Sequence, residues 1–399
     1  MKKTALTLCL IGCGVSAAHA QSNVTLYGIV DGGFNYINNV GVVQTAGSAG
    51  TPAVYANKTQ IKQNSGGYSG SRWGLKGNED LGGGNSAIFQ LENGFNVASG
   101  AFSSSGVEFN RQAYVGLSSK SYGTVTFGRQ YEAISDLVSN YGPTAYGSYV
   151  STYPGDISNY DGDIHVNNSV KYVTPQFHGV TGELLYGFGN VAGSIGQDNT
   201  INAGVQYDNG PFGIGVAYLR MDNSHATSNT WNGSADGNFS SSIAAGFTGA
   251  EKIQLANAAT RYKFGKLSVG LSYGYVNYRP SAVSVFTKVL TYNSVGANTL
   301  YMFTPSYGIG AGYSYTRGTS VADGASRPAY QAVTLSSIYY LSKSVMIYGA
   351  IGYQHATGKT VDAYGNVIEA TASIGDSADG ASSGSNSQIL ARVGLRKAF

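Results

Sequence analysis

The chain has 399 residues, of which 57 are Gly and 31 Tyr, and only 11% are charged, far below the quarter or so usual in a soluble protein. The 24 Lys and Arg nearly balance the 21 Asp and Glu, which gives no reason to expect a nucleic-acid partner. Few charges, many tyrosines and no long apolar helix point to a chain that meets lipid through strands.

The first twenty residues, "MKKTALTLCLIGCGVSAAHA", have two lysines, an apolar run and a small-residue box at Ala18-His19-Ala20. This is the pattern of a secretory signal peptide over 1–20, with 21–399 as the mature domain. The apolar run is too short to span a bilayer. "LIGC", Leu10 to Cys13, also resembles a lipoprotein signal, but it would cut inside the apolar core. Both cysteines, Cys9 and Cys13, fall in this leader, so the mature chain has no thiol chemistry. Without Lys2 and Lys3 the 24 basic residues become 22 against 21 acidic ones, a net charge of +1.

Beyond the leader, short patterned aromatic stretches alternate with Gly/Ser/Asn/Asp-rich ones. The patterned stretches are 24–37, 71–79, 85–97, 110–118, 122–130, 166–174, 180–189, 200–208, 212–220, 255–264, 266–279, 296–304, 307–317, 329–341, 343–355 and 387–399, sixteen in all. Most have the length of a tilted strand crossing a bilayer. Short connections such as "DNGP" (208–211) and "FGK" (264–266) alternate with long ones, among them 38–70, 98–109 and 131–165. The expected fold is therefore all-β: a 16-stranded antiparallel up-and-down transmembrane barrel, with short periplasmic turns, long extracellular loops and both termini in the periplasm. A closed barrel has no free edge, so the last strand pairs with the first.

Strand alternation sorts side chains between lipid and lumen. In 24–32, Val24, Leu26 and Val30 face out, leaving Tyr27 and Asp31 inward. In 71–77, Trp73 and Leu75 suit lipid, so Arg72 and Lys76 point inward. In 87–95, Ala87, Phe89, Leu91 and Phe95 share the outer face, with Gln90 and Glu92 inward. In 111–117 both parities are partly apolar; Tyr114 suits lipid best, which sends Arg111 inward with Ala113. Arg129 shares the lipid parity of Val125 and Phe127 where a strand meets a long loop, and is expected to brace a loop or a subunit contact, with Glu108 as a partner. In 165–173, Val170 and Tyr172 face lipid, placing His165, Ser169 and Lys171 inward. In the final stretch Val393, Leu395 and Phe399 share one parity and Arg392, Gly394 and Arg396 the other.

Several stretches carry a family likeness: "NVTLYGIVDGGF" (23–34), "SRWGLKGNEDLGGG" (71–84), "RQAYVGLSSKSYGTVTFGRQ" (111–130), "NNSVKYVTPQFHGV" (167–180) and the terminal "VGLRKAF". Together they resemble the general porins of β-proteobacteria across the whole mature chain. The resemblance implies a Gram-negative outer-membrane location among lipid and lipopolysaccharide. It also implies a homotrimer, a third long loop folded into the pore, and a terminal Phe399 strand read by the barrel-assembly machinery. Such a protein passes small hydrophilic solutes through a water-filled constriction and holds no cofactor.

On this resemblance Arg72 and Arg111 are constriction arginines, joined on the basic wall by Lys76, His165 and Lys171. The third loop, 131–165, carries Glu132, Asp136, Asp156, Asp161 and Asp163 with no Lys or Arg. With Asp31 and Glu92 these form the acidic side, so a transverse field is expected across the eyelet. His165 stands where the family usually has an arginine, which predicts a pore that gains positive charge as this histidine titrates near pH 6–7.

Three rival functions meet the same residues. A barrel enzyme needs a nucleophile beside a base, and the four histidines of the mature chain (His165, His178, His225 and His355) lie in no such setting; "GDSADG" (375–380) sits in a low-complexity loop. A channel specific for a carboxylate or sugar stays open because Tyr141, Tyr146, Tyr149, Tyr153 and Tyr160 crowd the third loop. A surface adhesin would be a role added to a pore. No His/Cys/Asp set has metal-ligand spacing.

Overall fold

The computed structural model describes residues 23–147, 149–375 and 380–399. The expected leader 1–20 and most of "GDSADG" lie outside the described residues. Sixteen antiparallel strands close into a barrel. They are β1 (Asn23–Thr45), β2 in two pieces (Val54–Ser65, then Arg72–Gly82), β3 (Asn85–Gly94), β4 (Gln112–Ser119), β5 (Gly123–Tyr131), β6 (His165–Val173), β7 (Val180–Gly187) and β8 (Thr200–Asn209). The second half is β9 (Phe212–Asp222), β10 (Ala250–Phe264), β11 (Leu267–Pro280), β12 (Leu290–Thr304), β13 (Tyr307–Gly318), β14 (Ala329–Tyr340), β15 (Val345–Thr357) and β16 (Ser387–Ala398). Each strand pairs with its neighbours in sequence, and β1 closes on β16 from Ile29↔Ala398 to Ile37↔Leu390. At the seam Phe399 and Gly28 exchange two backbone hydrogen bonds of 3.0 Å. The Phe399 ring lies over Gly28, where an added Cβ would come within 2.5 Å of it.

Two-residue alternation sorts the wall. On β1, Val24, Leu26, Phe34 and Tyr36 are exposed, whereas Asp31, Asn35 and Ile37 are buried. Exposed apolar side chains on most wall strands, among them Val115, Phe127, Leu184, Val216 and Leu271, form the surface that lipid covers.

Three features differ from the sequence expectation. First, 38–70 is not one open loop: β1 runs to Thr45 and the first piece of β2 pairs back onto it. Second, that strand is broken by a bulge at 66–71. Ser65 pairs with Gly32 and Arg72 with Ile29, so six residues oppose two. Asp31 holds this bulge, accepting from the Tyr68 and Ser69 amides at 2.9 and 2.7 Å and from the Tyr348 hydroxyl at 2.6 Å. It is fully buried and is not a constriction charge. Third, β10 and β12 begin at Ala250 and Leu290, several residues earlier than expected, because these strands extend past the lipid-facing zone where the hydrophobic pattern ends.

The segment between β5 and β6 folds into the lumen as five short helical turns. Two buried carboxylates shape it. Glu132 accepts from the Ile134 and Ser135 amides, the Ser135 hydroxyl and Asn159 Nδ2. Asp156 accepts from the Tyr160 and Asp161 amides at 3.0 and 3.2 Å. The loop docks on the wall by its tyrosines. The Tyr153 hydroxyl reaches Ser272 Oγ at 2.9 Å, and that of Tyr160 reaches the carbonyls of Ala258 and Tyr273 at 3.1 and 3.0 Å. Glycine makes room for it: a Cβ on Gly310 would sit 2.1 Å from the Tyr146 carbonyl oxygen.

Two further loops fold over this one. Asn238 donates to the Asp156 carbonyl, and Ser373 O accepts from the Gly155 amide. Phe247 stacks on Tyr278 at 4.2 Å within a buried cluster that includes Phe286, Tyr292 and Tyr330. The lumen beside β9–β14 is thus filled, and the open path runs along β2–β6.

Candidate channel constriction

Along that path, between the wall and the inward loop, lies a cavity of about 460 Å³. Arg72 opens the second piece of β2, Glu92 lies on β3, and Arg111 just precedes β4. Glu92 sits between the arginines, 2.8 Å from Arg111 Nε and 3.7 Å from Arg72 Nε. Its side chain is 5% exposed, against 25% for Arg72 and 18% for Arg111. The Tyr27 hydroxyl donates to Glu92 at 2.8 Å and accepts from Gln90 at 2.6 Å. Arg111 also stacks over the Tyr131 ring at 5.6 Å. Across the gap lie Ser135, Asp136, Asn140, Tyr149 and Asp161. The Tyr149 hydroxyl reaches the Gly70 amide at 3.4 Å, linking loop to bulge.

Of the residues the sequence proposed, Arg72, Arg111, Glu92, Asp136 and Asp161 come together here. His165, Arg129 and Asp163 line a wider vestibule of about 1000 Å³, which Arg111, Tyr149 and Asp161 also border. The others lie elsewhere. Glu132 and Asp156 are fully buried inside the loop. Burial pushes the Glu132 carboxyl up to about 7, although hydrogen bonds from Ser135 and the Ile134 amide oppose the shift. Lys171 is buried as a loop anchor, 2.6 Å from Asp136, 3.2 Å from the Tyr131 carbonyl and 3.9 Å from Glu183. Lys76 is an exposed wall residue 5.3 Å from the Tyr27 ring, outside the cavity lining.

Arg129 braces two loops, but its carboxylate partner is Asp236, not the exposed Glu108. It also donates to Asn167 Oδ1 and the Asn110 carbonyl at 2.7 Å each. His165 is buried, its ring 4.4 Å from that of Tyr131 and its Nδ1 3.4 Å from Asp236. Burial alone would raise the Asp236 carboxyl, but the bonds from His165 and Arg129 hold it below the usual carboxylate range. His165 therefore faces a charged cluster in the vestibule and not the eyelet.

The register of β4 is the reverse of the expectation. Tyr114 pairs with Gln90 and donates to its Oε1 at 2.9 Å inside the lumen, while Val115 and Leu117 are 59% and 60% exposed. With both parities partly apolar, hydrogen bonding decided the face. Arg111 still reaches the lumen because the ladder starts at Glu92↔Gln112 and parity does not bind the residue before it. Sequence reading missed Asp236, which lies in a loop with no periodicity to place it. It also left Arg392 and Arg396 without a role, although their parity was inward. Arg392 donates to Asn35 Oδ1 and the Gly67 carbonyl at 3.0 and 2.6 Å, and Arg396 to Ser69 Oγ at 3.1 Å, so both support the bulge.

A family profile for Gram-negative porins matches residues 5–359. The chain is 34% identical over 272 residues to an outer membrane porin protein of Bordetella pertussis, covering 65% of this chain and 69% of that one. It is 32% identical over 231 residues to outer membrane porin protein 32 of Delftia acidovorans, covering 55% and 60%. Among solved structures, the anion-selective porin from Comamonas acidovorans matches with a TM-score of 0.68 at 22% identity, over 95% of this chain and all of that one. The trimer form of OmpT from Vibrio cholerae matches with a TM-score of 0.58 at 16% identity, over 95% and 99%. At those identities the two structures speak for the fold alone.

Proposed function

Because the chain belongs to the Gram-negative porin family and is a porin of the outer membrane, we propose that it is a charge-filtered channel for passive diffusion of small hydrophilic solutes and ions. One observation carries this reading: Arg72 and Arg111 of the wall line the same open cavity as Asp136 and Asp161 of the inward loop. Opposed charges there produce a transverse field. A polar solute aligns with it and keeps its hydrogen bonds, whereas an apolar solute must displace the water that the field orders. Glu92 leaves the arginine wall with a single net positive charge, which supports a weak preference for anions. The similar Comamonas protein is described as anion-selective. A homotrimer is supported by the trimer form of a structural neighbour. The exposed, seam-paired Phe399 is available as the assembly signal.

The carboxylate- or sugar-specific alternative rested on an aromatic slide in the loop. Tyr141, Tyr146, Tyr153 and Tyr160 are instead buried, and of these five loop tyrosines Tyr149 and Tyr160 border the cavity. Planar-bilayer recording of the purified protein under a KCl gradient tests the proposal. Openings in steps of three, unsaturated by any one solute and with a chloride-leaning reversal potential, are expected. Block by micromolar amounts of one carboxylate or sugar would replace it with the specific channel.

A further inference from the structure

Beyond the wall, β1 and the first piece of β2 run on as a two-stranded ribbon, from Ile37↔Gln60 to Thr45↔Val54. Its two edges differ. The β1 edge is capped by a later loop: the Gly41 amide donates to the Ser382 carbonyl at 3.0 Å, and the Gly384 amide to the Asn39 carbonyl at 3.2 Å. The β2 edge has no neighbouring strand, because β3 ends at Gly94, opposite Arg72, and the first piece of β2 pairs with β1 alone. The barrel seam fixes which groups lie on that edge. Gly28 and Phe399 exchange backbone bonds, so the odd residues of β1 from Ile29 to Ile37 turn their amides and carbonyls toward β2. Asn64, Lys62 and Gln60 oppose Gly33, Asn35 and Ile37 and turn back toward them. Tyr55, Asn57, Thr59, Ile61 and Gln63 therefore turn theirs to the open edge. Among the described residues none of these five amides donates to another segment.

An exposed edge is usually guarded by proline, by charge, by a bulge or by short length. The five edge residues include no proline and no charge, and Tyr, Thr and Ile among them favour strands. All five are exposed, Ile61 by 75%. A two-stranded ribbon is only marginally stable by itself in water. Here it is held in place: Asn366 Nδ2 donates to the Ser48 carbonyl at its tip, 2.8 Å, and Lys62 Nζ to the Gly380 carbonyl, 2.7 Å. An edge held this way loses little freedom when a further strand pairs with it. The side chains set the chemistry of that strand. Lys58 and Lys62 share the inward face, and the segment 38–70 has no Asp or Glu. Lys58 is exposed, with no carboxylate in ion-pair reach among the described residues. The other face, from Tyr55 to Gln63, is uncharged.

We propose that this edge takes an extended segment of another protein as an added strand. The fitting segment alternates, with acidic residues beside Lys58 and Lys62 and uncharged β-branched or aromatic ones beside Tyr55, Thr59 and Ile61. Each edge residue offers one donor and one acceptor, which supply affinity, while the alternate side chains supply specificity. A second copy of this chain fits less well. Its edge carries the same two lysines, and pairing would bring like charges together. In a threefold assembly, moreover, each contact joins two different surfaces, so the edge cannot pair with itself. How the lumen selects solutes has no bearing on this edge.

The test uses the full folded protein in uncharged detergent and a fluorescent peptide of about nine residues, the length of the edge, in which glutamate alternates with threonine and valine. Its anisotropy is expected to rise and saturate as protein is added, and to rise less in high salt. Residue-resolved amide exchange is expected to slow at Tyr55, Asn57, Thr59, Ile61 and Gln63 when the peptide binds, and to stay unchanged at Ala56, Lys58 and Gln60. Lys58→Glu is expected to weaken binding about fivefold, through lost attraction and added repulsion. Thr59→Pro removes the central donor from an edge, where proline is tolerated, and is expected to weaken binding about tenfold while leaving single-channel conductance unchanged. Absence of saturable binding overturns the proposal, as does equal binding of the same peptide with lysine in place of glutamate. Slow exchange at the five amides before any peptide is added also overturns it, because a second copy then holds the edge. If heat-modifiable gel migration shows that Thr59→Pro fails to fold, Lys58→Glu decides.

Discussion

Neutralising Glu92 tests the electrostatics of the eyelet most directly. The Glu92→Gln change keeps the shape of the side chain and an oxygen for Arg111 Nε, now at 2.8 Å, but removes the one negative charge between two arginines. Both arginines are partly solvated, so the wall should tolerate the change, and heat-modifiable migration will show whether the barrel has folded. An ion passing about 5 Å from that carboxylate interacts with it by roughly 0.8 kcal/mol at the dielectric of water. Screening in 0.1 M salt reduces this to about 0.5 kcal/mol. That is a factor of roughly two for each ion sign, and about fivefold for the anion-to-cation permeability ratio. The assay is the reversal potential in a tenfold KCl gradient, which should move toward the chloride equilibrium potential. A reversal potential that stays put, or moves toward potassium, would refute the idea that the arginine–glutamate cluster sets the charge seen by a passing ion.

Two further outcomes concern the inward loop. Tyr160→Phe loses a hydroxyl shared by two wall carbonyls, about 1 kcal/mol, and should leave single-channel conductance unchanged. Tyr160→Ala empties a buried site at a cost of about 3–5 kcal/mol, and should loosen the loop and raise conductance; an unaltered channel would mean the loop is held elsewhere. Glu132 supplies a pH dependence. Its carboxyl rises from an ordinary 4.5 to about 7 when the loop is docked, so the docked state holds a proton that the undocked state has lost between those values. Docking is therefore strongest below about 4.5 and weakens as pH climbs through 7. Amide exchange at Ile134 and Ser135, corrected for intrinsic rate, should show less protection at pH 8 than at pH 5, and Glu132→Gln should abolish the difference.

The vestibule geometry changes what was expected of His165. Its ring is packed on Tyr131 and faces Asp236 and Arg129, so a proton gained there acts first on that cluster. Among the described residues no histidine lines the cavity beside Arg72 and Arg111, so the expected titration has no carrier there.

Strand number, alternation of short and long connections, and the lipid face of most strands were legible in the sequence. Each follows from a local rule: an outward residue in lipid must be apolar, and a spanning strand must have a set length. The same rule placed Arg72, Glu92 and the inward parity of Arg392. It failed at Tyr114, where both faces were equally apolar and a hydrogen bond to Gln90 decided. It could not sort the acidic residues of the inward loop, which has no period. There only the tertiary structure separates Asp136 and Asp161, which face the lumen, from Glu132 and Asp156, which turn back to cap the loop's own amides. Nor could it show that Asp31 serves a bulge or that Asp236 meets Arg129, because those contacts join segments dozens to hundreds of residues apart. Local chemistry determined the wall of this channel, while the way three loops fold back on that wall decided which of its charges a solute will meet.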